Sequence, residues 1–118
     1  MNRSNFKGAI LHKANLTRAT IWSADFEGAD LSETNMAGFG DMFMDFSYTN
    51  LTKANLKNAD LRGVYLEGAM LTDADLTNCD LRGADLTEAN LKGATVNLAQ
   101  LKNAHLFRTI MPDGSTHG

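Results

Sequence analysis

An apolar residue recurs at every fifth position along almost the whole chain, and a period of five suits neither a helix at 3.6 residues per turn nor a strand at two. Stepping by five from Phe6, the centres run Phe6, Leu11, Leu16, Ile21, Phe26, Leu31 and Met36. They continue after Asp41 as Phe46, Leu51, Leu56 and onward to Val96, Leu101 and Leu106. Of these 21 centres, 20 are apolar and 14 are leucine, with Asp41 the one exception. Two residues before the centre stands a small side chain, alanine in 14 of 21 units; one before it stands Asn or Asp in 13. Glycine recurs two residues after the centre, at Gly8, Gly28, Gly38, Gly63, Gly68, Gly83 and Gly93.

On a helix these centres would spread over every face, and no single core could form. The pattern asks instead for a short extended piece and a turn once per five residues. The small residue and the leucine, two apart, then point to one side. Gly after the centre supplies the positive φ of a type II turn, and Asn or Asp bonds the local backbone at the corner. If each unit turns the chain by about a right angle, four units close a square whose narrow interior alternates Ala and Leu.

The A(N/D)LXX units resemble the pentapeptide-repeat family over roughly residues 4–111. That resemblance implies an all-β fold, a right-handed quadrilateral parallel β-helix with twenty residues per coil and about five coils. The ending Thr109-Ile110-Met111-Pro112-Asp113-Gly114 is similar to that of many cyanobacterial members. Residues 1–111 are assigned to the β-helix and 112–118 to a C-terminal turn and tail. Twenty residues per coil predicts a column Phe6, Phe26, Phe46, Leu66, Leu86, Leu106, and a second of Leu11, Leu31, Leu51, Leu71 and Leu91. Cys79 falls between Ala59 and Ala99 and is expected to be a buried, inert thiol. No capping helix is expected at either end, and the tail is expected to fold back as a lid on a monomer. An end-to-end dimer is the alternative.

Residues 38–44 keep the spacing but not the residue types. Phe39 and Met44 replace the small residue, Gly40 the Asn/Asp, and Asp41 the core leucine. An unpaired carboxylate in that core would cost several kcal/mol, so Asp41 is expected to turn outward with Met42 filling the gap. Trp22, Asp41, Met42, Phe43, Tyr48 and Tyr65 together form a candidate partner patch; a locally repacked wall is the competing reading. Arg62, Arg82 and Lys102 form a candidate basic column for a phosphate or acidic partner. The competing reading is a solvated face balanced by Asp60 and Asp80.

Composition narrows the function. A net charge of −3 gives no basic footprint for nucleic acid. A single cysteine allows no intrachain disulfide. The N-terminus lacks a signal peptide's apolar core, and no run reaches the ~18–20 apolar residues of a membrane helix, so the cytoplasm is the expected compartment. No phosphate loop or metal-ligand spacing appears, the acids at the corner position are structural first, and the packed interior leaves no pocket. The expectation is therefore no enzyme, no cofactor, and no nucleic-acid or membrane partner. It is a repeat scaffold that binds another protein. Two alternatives remain: a DNA mimic acting on the type II topoisomerase gyrase, as the resemblance implies for some members, and a purely structural module.

Overall fold

A computed structural model of the chain describes residues 5–15, 24–34 and 45–118. The five-residue unit is a turn flanked by single parallel β-bridges. In the unit centred on Phe26, Ala29 N donates to Phe26 O at 2.9 Å. Gly28 sits at φ +68° in the third position of that turn. Asp25 Oδ1 accepts from Glu27 N at 3.0 Å and secures the corner. The same Asx contact recurs at Asp30, Asn50, Asn55, Asp60, Asp75, Asp80, Asp85 and Asn90. Asn and Asp are selected there because their short side chains reach the backbone two residues on.

Four units make a coil, and successive coils are joined by parallel bridges such as Asp60↔Asp80, Tyr65↔Asp85, Met70↔Asn90 and Asp75↔Thr95. Centre N–H groups also bond to the coil above, as Leu66 N does to Asp85 O at 2.8 Å. The first wall carries centres 6, 26, 51, 71 and 91, and the second 11, 31, 56, 76 and 96. The third carries 61, 81 and 101, and the fourth 46, 66, 86 and 106. Ala and Leu fill the interior: Ala69, Leu71, Ala74, Leu76, Leu86 and Leu91 are all at most 1% exposed. The molecule measures 31 × 30 × 24 Å.

The twenty-residue register fails once. Asn5↔Asp25 and Asp45↔Tyr65 are twenty apart, but Asp25↔Asn50 and Asp30↔Asn55 are twenty-five apart. Asp60 N likewise reaches Thr34 O. The second coil therefore holds one unit more than the others, inserted between Thr34 and Asp45, the stretch that contains the irregular 38–44 segment. This corrects the predicted columns. Phe26 lies beneath Leu51 and not Phe46, Leu31 lies beneath Leu56, and Phe46 belongs to a different wall. Phe6 still stacks on Phe26, centroids 4.8 Å apart and planes at 7°. Phe46 meets Phe26 at 5.5 Å and 42° across the interior of the same coil.

The C-terminal end carries a second correction. A one-turn helix, α1 (Leu98–Leu101), replaces a turn of the last coil. It is started by a capping box in which Asn97 and Gln100 bond each other's backbone N–H. Gln100 Nε2 also donates to Leu76 O at 2.8 Å and Cys79 O at 3.1 Å, tying α1 to the coil beneath. Beyond it, β1 (Thr109–Ile110) pairs antiparallel with β2 (Thr116–His117). The turn between them is closed by Met111 N to Ser115 O and Gly114 N to Met111 O, 2.7 and 2.8 Å. The tail does fold back, as a hairpin. Met111, Leu101, Leu106 and His117 line an open recess of about 430 Å³ at this end.

Candidate functional site

Each wall presents three outward positions per unit: the Asn/Asp position before the centre and the two residues after it. On the third wall these hold Asp60, Arg62, Gly63 and Asp80, Arg82, Gly83 in two successive coils. Each aspartate caps its turn and also grips its arginine. Arg62 Nε and Nη2 reach Asp60 at 2.8 and 2.7 Å; Arg82 Nε and Nη2 reach Asp80 at 2.9 and 2.6 Å. A cross-coil contact of 3.8 Å joins Arg62 to Asp80. The guanidinium hydrogen bonds hold both carboxyls below the usual aspartate range and push both arginines up. The two arginines of the candidate basic column are thus engaged by the aspartates beside them. Lys102 stands apart from them as the C-cap of α1.

The fourth wall is built differently. From the second to the fourth coil its outward residues are Asp45, Ser47, Tyr48, then Tyr65, Glu67, Gly68, then Asp85, Thr87, Glu88. Over these three coils it holds four carboxylates and no Lys or Arg, and no ion pair among the described residues engages any of the four. Tyr48 is 58% exposed and Tyr65 44%. Tyr65 occupies the position that elsewhere caps the turn, and so does its neighbour around the corner, Met70, at 46% exposed. Two consecutive caps have been given up for exposed apolar side chains.

Tyr48 breaks a different rule. It sits at φ +60°, in the left-handed region that disfavours a bulky side chain. Its ring is nevertheless held. A Cβ built on Gly68 would stand 2.5 Å from Tyr48 Cδ1 and Cε1, so the ring lies against the glycine backbone and any side chain there would have to displace it. Its hydroxyl donates to Glu67 Oε1 at 3.0 Å. That hydrogen bond, with the charges of Glu67 and Glu88, raises the phenol above its ordinary pKa.

Of the predicted patch, Tyr48 and Tyr65 lie on one wall in adjacent coils, joined by the Asp45↔Tyr65 bridge. Trp22, Asp41, Met42 and Phe43 lie outside the described residues. Met70, Glu67 and Glu88 escaped the sequence reading. Their signal was available: Met70 breaks the Asn/Asp column, and the acids share a wall once the register is known. Cys79 is 4% exposed, donates to Leu56 O at 2.6 Å, and is pushed up to about 12 by burial. No group of acids, His and Cys among the described residues is arranged to hold a metal. No described helix is long and apolar enough to cross a membrane.

Comparison with known proteins places this architecture. The family model for pentapeptide repeats matches eight copies, over residues 1–38, 45–78 and 71–111. Among solved structures, HetL is 33% identical at a TM-score of 0.57, over 98% of this chain and 52% of its own. It is a pentapeptide repeat protein involved in heterocyst differentiation regulation in the cyanobacterium Nostoc sp. strain PCC 7120. A second Nostoc PCC 7120 pentapeptide repeat protein is 30% identical, over 84% of this chain and 81% of its own, with a TM-score of 0.47. QnrB1, a plasmid-mediated fluoroquinolone resistance protein, is 24% identical with a TM-score of 0.50, over 80% of this chain and 51% of its own. The chain spans about half the length of HetL and of QnrB1. No protein of curated function matches it.

Proposed function

Because the chain belongs to the pentapeptide-repeat family, a right-handed quadrilateral β-helix, we propose that it is a non-enzymatic scaffold that binds another protein through its fourth wall and the corner that wall shares with the first, where Met70 lies. The observation that carries this reading is the cluster of broken repeat rules there. Tyr65 and Met70 forgo turn caps worth about 1 kcal/mol each, and Tyr48 accepts a left-handed backbone. All three leave large apolar surface in water. Among the described residues Tyr48 is the one aromatic at the left-handed corner, which elsewhere holds Gly, Asn, Asp, Glu, Lys or Arg. Tyr65 and Met70 interrupt a cap column that is mostly Asn or Asp.

Charge distribution weighs against the DNA-mimic alternative. A rod that imitates a duplex needs uncompensated acids all around it, whereas the aspartates of the third wall here are paired with their own arginines. The likeness to QnrB1 extends to the fold. The cytoplasm remains the proposed compartment and a monomer the proposed state. Light scattering giving one 12.8 kDa chain checks the latter.

The test compares capture of binding proteins from the source cell by three forms. These are wild type, a fourth-wall variant that includes the corner with the first wall (Tyr48→Ala, Tyr65→Ala, Met70→Ala) and a third-wall variant (Arg62→Ala, Arg82→Ala). A partner held by wild type and the third-wall variant but lost by the fourth-wall variant is the expected result. Equal retention by all three would rule the proposal out.

A further inference from the structure

Resting on that reading, we infer that the fourth wall is a docking track for a short cationic peptide segment of the partner, with Arg or Lys side chains laid over the Tyr48 ring and paired with Glu67 and Glu88. Three observations converge on this chemistry. The first is charge. A net −3 for the whole chain conceals a wall on which Asp45, Glu67, Asp85 and Glu88 pair with no cation among the described residues, while Asp60 and Asp80 on the adjoining wall are neutralised by their own arginines. A surface with aromatic rings and carboxylates lacking cation partners complements a cationic ligand and repels an anionic one.

The second is the platform. Tyr48 is fixed from beneath by the Gly68 backbone and at its hydroxyl by Glu67, yet it is 58% exposed. An ordered ring with open surface, rimmed by carboxylates, suits a cation–π contact, because the face of the ring is negative and its orientation costs nothing on binding. The third is a matching contact higher on the same wall. In the last coil the Arg108 guanidinium lies 5.2 Å from the centroid of the Phe107 ring. That cation also marks the upper end of the acidic stretch.

Geometry fixes the length. Tyr48 and Glu88 are two coils apart, about 10 Å at the usual strand spacing of ~4.8 Å, and an extended peptide covers that in about three residues at ~3.3 Å each. The segment therefore needs two cations within three or four residues.

The probe is a fluorescently labelled nine-residue Arg/Gly peptide, followed by anisotropy against the full chain, with Gln/Gly and Glu/Gly peptides of equal length. Binding of the Arg/Gly peptide alone, weakening with salt, is expected. The Tyr48→Ala, Glu67→Gln, Glu88→Gln variant should weaken it about tenfold, the sum of one exposed cation–π contact and two surface pairs. A control that removes the same number of carboxylates from the first wall, Glu27→Gln with Asp73→Asn, should leave it unchanged. Thermal melts show that each variant is folded. Equal weakening in the control would reduce the effect to overall charge and overturn the inference. So would equal binding of the Gln/Gly peptide, or spermine binding to the same residues as tightly as the peptide does. If the fourth-wall variant loses its cellular partner while the Arg/Gly peptide fails to bind, the scaffold reading stands and only the cationic segment is wrong.

Discussion

The third and fourth walls are adjacent sides of one prism, cover equivalent cores and obey the same hydrogen-bond ladder, yet they present opposite surfaces. On the third wall every outward residue of the two regular units serves the fold. Asp60 and Asp80 cap turns and bind arginines, and Gly63 and Gly83 take the left-handed corner at φ +69° and +73°. On the fourth, the cap position holds Tyr65 and the left-handed corner holds Tyr48 and Glu88, at φ +60° and +59°. The repeat thus separates two tasks that most folds mix. Inward and corner positions specify the coil, and a wall that relaxes its corner positions gains a surface at a small cost in stability.

If the difference lies only outside, truncating the core under either wall must cost the same. Leu61 under the third wall and Leu66 under the fourth are 2% and 1% exposed. Each Leu→Ala change should destabilise by ~2–5 kcal/mol through lost transfer energy and the cavity left behind. Denaturant melts of the pair check this. Costs differing by more than about 2 kcal/mol would show that the walls differ in packing as well.

The next effect isolates the third wall's own stabilisation. Asp80→Ala removes a turn cap and a bidentate partner of Arg82, and should cost ~1–2 kcal/mol. No such loss is expected from Glu67→Ala, whose carboxylate caps no turn and touches no cation. The acid side of the stability curve tests the same point. Asp60 and Asp80 have folded pKa values held down by Arg62 and Arg82. Their contribution is therefore full above the unfolded aspartate value of ~3.9 and is lost as pH falls through the lower folded values. Asp80→Asn should flatten the stability–pH curve below about pH 4.

Restoring the rule on the fourth wall and at its corner with the first should work in the opposite direction. Tyr65→Asn and Met70→Asn reinstate the missing caps, and Met70→Asn also completes a column with Asn50 and Asn90. Each should raise stability by ~0.5–1 kcal/mol, seen as a few degrees in Tm, while partner capture falls. A gain in Tm with capture intact would mean that these residues are neither selected for binding nor needed for it.

The fold was legible because its period is a property of residue types. Leu71, Ala74 and Asp75 each state their role by size and polarity alone. The extra unit in the second coil was not legible for a simple reason. A period of five is unchanged by inserting five residues, so the phase of the leucines could not reveal that Asp25 pairs with Asn50. Only Asp41, the one centre that is not apolar, marked that stretch as irregular. The columns built on twenty-residue spacing inherited that error, and with it the Phe6–Phe26–Phe46 stack. α1 was readable in principle, since Asn97 and Gln100 have capping-box spacing, but four residues inside a repeat are easily taken for one more turn. The aromatic half of the site was visible as Tyr48 and Tyr65. The electrostatic half needed the walls, because Glu67 and Asp60 look alike in sequence and only the structure shows that one faces a tyrosine and the other an arginine.

The smallest effect is also the most direct exchange between the walls. Gly83 and Glu88 hold the same turn position on the third and fourth walls. A side chain at Gly83 would meet nothing nearer than 3.8 Å, so Gly83→Glu adds backbone strain alone and should cost ~1 kcal/mol. Glu88→Gly relieves that strain but gives back part of it through the greater freedom of glycine when unfolded, leaving a gain of about 0.5 kcal/mol. Tyr48→Gly should show no such gain, because the ring's contact with the Gly68 backbone and its bond to Glu67 are lost together. Asn58 and Asn78, at φ +59° on the second wall, should gain less from glycine than Glu88 does, since asparagine tolerates the left-handed region. Chemical denaturation of the four glycine variants would give this order, with Gly83→Glu as the reverse exchange. An order in which Tyr48→Gly stabilises most would mean that the ring is strained on the wall, and the fixed platform on which the cationic track depends would be lost with it.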